Sequence, residues 1–134
     1  MKLSQLKSFE AACKVEGLDS KKVIPDFKFF PEKDREAEKA HAMLVIVISA
    51  ANRIANGGKE WIADHDDPDQ VKYEPYFVGG SSGFRYSDFG YRVSGSCVGS
   101  RLCFIDHPTM MHVVKNKNFL KLYKTYYTKK GKKK

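Results

Sequence analysis

At 134 residues, with 42% hydrophobic and 13% aromatic side chains, the chain has enough apolar material for one buried core; this composition excludes intrinsic disorder and leaves no need for a second domain. The formal charge of +8 is concentrated at one end. Nine of the 24 basic residues are Lys115, Lys117, Lys121, Lys124, Lys129, Lys130, Lys132, Lys133 and Lys134, with no acid among them, so the other 15 face 16 acids and Met1 to Val114 carries −1.

The longest apolar run, Ala42 to Ile48, is far short of the roughly 20 residues that span a bilayer, so no transmembrane element is expected. Cys13, Cys97 and Cys103 form no CxxC pair, and Lys2, Ser4, Gln5 and Lys7 interrupt any apolar leader. A reducing cytoplasm is the expected compartment, without disulfides, metals or cofactors as staples.

In chain order, Leu3, Leu6, Phe9 and Cys13 recur at helical spacing and Gly17 suits a left-handed cap, which predicts a first helix over 3–16. Val23 to Phe30, around Pro25, reads as an extended apolar connection packed on the core. Pro31 and the acids Glu32, Asp34, Glu36 and Glu38 open a second helix, which Asn56-Gly57-Gly58 closes. Ala42 to Ala51 is apolar around most of its circumference, so this helix is central; Val45-Ile46-Val47-Ile48 also suits a buried strand, but its helical flanks decide for helix.

Asp64 to Asp69 reads as a turn-rich loop. Val71 to Phe77 alternates as a strand that Pro75 confines to an edge. Phe84 to Asp88, Tyr91 to Val93 and Ser100 to Ile105 read as further strands between turn glycines and serines, the pattern of an antiparallel meander. Asp106 or Thr109 caps a last helix carrying Met111, Val114, Phe119, Leu122, Tyr123 and Tyr126 on one stripe. The expected fold class is α+β: a short antiparallel meander of three to four strands against about three helices. Residues 1–128 form the single domain and 129–134 a disordered lysine-rich tail.

Three blocks carry a resemblance: DHDDPDQVKYEPYF over 64–77, GSRLCF over 99–104 and NFLKLYKTYY over 118–127. In order and spacing they resemble a group of small uncharacterised proteins encoded by phages and prophages of gut bacteria, across roughly the C-terminal half. This chain has His65 and Tyr76 where that pattern has tryptophan. The resemblance implies an accessory role within a phage or mobile element, in the cytoplasm of a bacterial host cell or in the virion; it implies no activity.

No sequence motif supports catalysis. The acidic loop lacks the glycine and glutamate of an EF-hand and reads as solvated. Cys103, His107 and His112 fall short of a zinc set in number and spacing, and Cys103 reads as a packing residue, with Arg101 and Ile105 on its face of the expected strand. Gly79, Gly80 and Gly83 match neither GxGxxG nor a Walker motif. The basic end remains: Lys115, Lys117, Lys121 and Lys124 on a helix, and Lys129 to Lys134 beyond it, suit phosphate neutralisation. Arg85, Tyr86, Phe89, Tyr91, Arg92 and Arg101 add stacking and cationic contacts from the sheet. Nucleic acid is the first partner expected, an acidic protein surface the second, and a membrane surface neither.

Overall fold

The computed structural model describes residues 1–80, 83–96 and 98–129. Four helices and one hairpin follow in the order α1 (Phe9–Glu16), α2 (Glu32–Ala55), β1 (Lys72–Val78), β2 (Arg85–Arg92), α3 (His107–Val114) and α4 (Lys117–Tyr127). The class is α+β, as expected, with a two-stranded antiparallel sheet in place of three to four strands. No helix among the described residues is long and apolar enough to cross a membrane.

The first helix starts later than the periodicity predicts, because Ser8 is a strong cap. Leu3–Gln5 forms a single 3-10 turn; Ser8 Oγ then accepts from the Ala11 amide at 3.1 Å and opens α1. Gly17 closes it at φ 72°, and the Leu18 amide donates to the Cys13 carbonyl at 2.8 Å. The stretch after it differs from expectation too. Val23 and Ile24 pack on the core, but Phe27, Phe29 and Phe30 meet one another in edge-on and tilted contacts at 5.3–6.0 Å, and Phe29 is 78% exposed.

α2 is helical through the β-branched run and buries Leu44, Val47, Ile48, Ala50 and Ala51. Its principal neighbours are α4 and α1, which bring Phe119 and Tyr123 on one side and Phe9, Ala12 and Cys13 on the other into one core with Met110 and Val113 of α3. The fully buried alanines let backbones approach closely. Burying side chains as large as Leu44 or Ile48 contributes roughly 1.5–3 kcal/mol each.

The two predicted strands over 84–93 form one, with Gly90 inside it opposite Glu74 and Ser87 as the extra, bulged residue opposite the step from Tyr76 to Phe77 of β1. The predicted strand over 100–105 does not form. Ser100–Leu102 is a 3-10 turn, and only Phe104 bridges to Tyr73, through bonds of 3.0 and 2.8 Å. Pro75 explains the limit: edge groups alternate with period two, so the position after Tyr73 that would extend this pairing is the proline, which has no N–H to give.

The predicted last helix is two. Asp106 Oδ1 accepts from Thr109 N at 2.8 Å and caps α3; Asn116 Oδ1 accepts from Asn118 N at 2.8 Å and Phe119 N at 3.2 Å and starts α4. An internal cap of this kind supplies a fresh N-terminus where the earlier helix ends.

Candidate nucleic-acid interface and a buried polar cluster

At 100° per residue, Lys117, Lys121 and Lys124 fall within an arc of about 60° on α4, opposite the buried Phe119 and Tyr123. All three are exposed, as are Lys115 just before the helix and Lys129 just after it. Among the described residues no carboxylate lies within ion-pair distance of any of these five, so their charge faces solvent. Lys130, Lys132, Lys133 and Lys134 of the predicted tail lie outside the described residues.

The sheet residues separate into two places. At the hairpin tip, Tyr127 of α4 meets Phe77 and Phe84 at ring distances of 5.4 and 6.1 Å, which brings Arg85 and the half-buried Tyr86 toward the C-terminal end of α4. At the far end of β2, about 20 Å along an eight-residue strand, Tyr91 stands 66% exposed beside Tyr73, with Phe89 and His107 continuing the aromatic row. Arg92 is engaged internally, its Nε donating to Glu74 Oε1 at 3.4 Å. Arg101 lies elsewhere, on a cleft of about 210 Å³ shared with Asn52, Glu60 and Trp61.

The acidic loop forms turns. Asp64 Oδ1 accepts from the Asp66 amide and Asp67 Oδ1 from the Asp69 amide, both at 2.9 Å. The three residues weighed as a zinc set are apart in function: His112 Nε2 contacts the Leu6 carbonyl at 2.6 Å, His107 packs on Phe89, and Cys103 does neither.

Sequence reading missed what Cys103 does meet. β1 turns Lys72 and Glu74 to one face, where both are buried. Lys72 Nζ donates to the carbonyls of Asp67 and Val93, tying the acidic loop to the end of β2. Glu74 Oε2 accepts from Ser96 Oγ and, at 3.5 Å, from Cys103 Sγ, which also contacts the Gly99 carbonyl at 3.2 Å. His65 completes the group: one ligand atom from each of His65, Glu74 and Cys103 lies within 4.8 Å of the others. The only signal for this in the sequence was a pair of charged residues two apart on one strand face.

Burial and the adjacent Glu74 carboxylate push the Cys103 thiol up to about 12. Burial and the raised thiol value both disfavour the thiolate that a Cys–His–Glu nucleophile would need. Comparison with family models, curated proteins and solved structures finds no match.

Proposed function

We propose that this chain is a phage-like accessory protein that binds nucleic acid without catalysis, through the basic face of α4 and the lysines that follow it. One observation carries the reading: the stripe of Lys117, Lys121 and Lys124, extended by Lys115 and Lys129, has no acidic partner among the described residues. A helix face whose charge is not spent inside the fold can neutralise phosphates and release their counterions. Arg85 and Tyr86, at the hairpin tip near the C-terminal end of α4, offer one further cation and one ring. Tyr91, Arg92 and Arg101 contribute less, because they lie away from α4 or are engaged elsewhere. The setting proposed is a bacterial host cytoplasm or a virion.

The test is titration of labelled single- and double-stranded oligonucleotides at low salt. Binding that weakens steeply as salt rises supports the reading; no binding at low salt defeats it. A second reading, a protein partner within the virion or the host, is favoured by the exposed Phe29, which sits on the half-buried Phe27 and Phe30 in an aromatic cluster outside the core.

A further inference from the structure

We propose that His65, Glu74 and Cys103 form a binding site for a zinc-class divalent transition metal, which clamps the acidic loop, β1 and the segment leading into α3 together. The inference is independent of nucleic-acid binding. Imidazole, carboxylate and thiolate are the three side chains that zinc takes, and a mixed nitrogen, oxygen and sulfur set disfavours Mg²⁺ and Ca²⁺, which prefer oxygen alone.

Two observations point to a ligand at this place. The first is the geometry. Tetrahedral zinc with ordinary bond lengths separates a sulfur and an oxygen ligand by about 3.5 Å; Cys103 Sγ and Glu74 Oε2 stand 3.5 Å apart. The imidazole lies within 4.8 Å of both, so closing the set takes a shift of about an ångström in one partly exposed loop residue. The second is that His65 Nε2 is buried and has no hydrogen-bond partner among the described residues. A buried ring nitrogen without a partner calls for an explanation, and a metal ion supplies one.

Coordination to a divalent ion removes the thiol proton outright, so the protonated state of Cys103 in the metal-free protein is no obstacle. Lys72 is held by two backbone carbonyls and Arg92 donates to Glu74 Oε1, while Oε2 is the carboxylate oxygen that faces Cys103 and Ser96. The two segments that the metal would join to β1 are a turn-rich loop and a stretch without α-helix or strand, so binding there couples directly to their order.

The experiment titrates the chelator-treated full chain with Co²⁺ and then Zn²⁺, read by absorption and by thermal unfolding. The wild type should take one equivalent of cobalt with a thiolate-to-cobalt charge-transfer band, lose the band to zinc, and unfold several degrees higher with zinc but not with magnesium. C103S should abolish the band, C13S should keep it, and H65Q and E74Q should weaken binding at least tenfold. H65Q carries the test if C103S fails to fold, because His65 is a loop residue; its circular dichroism should match the wild type. A band that persists in C103S, wild-type affinity in folded H65Q, or a wild type with neither band nor zinc-dependent unfolding shift would overturn the site.

Discussion

Asn52 on the central helix donates from Nδ2 to the Cys103 carbonyl at 3.0 Å, and its Oδ1 accepts from the Ile105 amide at 3.0 Å. The carboxamide therefore does for residues 103–105 what a neighbouring strand would do, two bonds on one edge, while Phe104 between them bridges to Tyr73 on the other. N52L removes both partners in a buried place and leaves a carbonyl and an amide unsatisfied, which costs about 2–4 kcal/mol. A lowered urea midpoint at unchanged slope is the expected result.

Glu16 ties α1 to α2 by two contacts. Ser49 Oγ donates to Oε1 at 2.8 Å and Arg53 Nε to Oε2 at 2.9 Å, in a setting where Glu16 is mostly buried. E16A should cost about 1–3 kcal/mol, since it strips a charge-assisted pair from Arg53. The double-mutant cycle with R53A should return a coupling of about 1 kcal/mol, because Arg53 is partly screened by solvent.

Stability should fall on the alkaline side. The Cys103 thiol, with an ordinary value of 9.0, is pushed up to about 12 by burial and by Glu74, and burial also raises Tyr123 well above its ordinary 10.0. Between about pH 9 and about pH 12 the unfolded chain has lost protons that the folded one keeps, so the free energy of unfolding declines as pH rises through that window. Urea midpoints measured from about pH 8 to about pH 11 should show this decline, with a shallower slope in Y123F. Tyr123 Oη is buried without a partner among the described residues, so Y123F should also be more stable at neutral pH, by about 1 kcal/mol.

The parts of this fold that local chemistry specifies were legible in the sequence. The central helix could be read because helix formers flank the run Val45 to Ile48; Gly17 caps α1 as its chemistry suggests, and of the two candidates Asp106 and Thr109 it is Asp106 that caps α3. The misreadings arise from competition between local rules. Ser8 and Asn116 each start a helix within a stretch whose apolar spacing looks continuous, and Pro75 denies Phe104 the strand that its neighbours suggest. The His65, Glu74 and Cys103 cluster was invisible for another reason. Its members come from a loop, a strand and an irregular segment separated by up to 38 positions in sequence, and only tertiary packing brings them within 4.8 Å.

Nucleic acid held on the basic face of α4 should declare itself in the slope of log affinity against log salt. Each phosphate neutralised contributes about 0.7 to that slope on a single strand and about 0.9 on a duplex. K117E/K121E/K124E replaces three exposed lysines opposite the buried stripe, so the fold should persist while the slope shrinks by about 2 on single strands. A wild-type chain that binds at low salt with a slope the triple variant preserves would contradict the assignment of α4 as the interface.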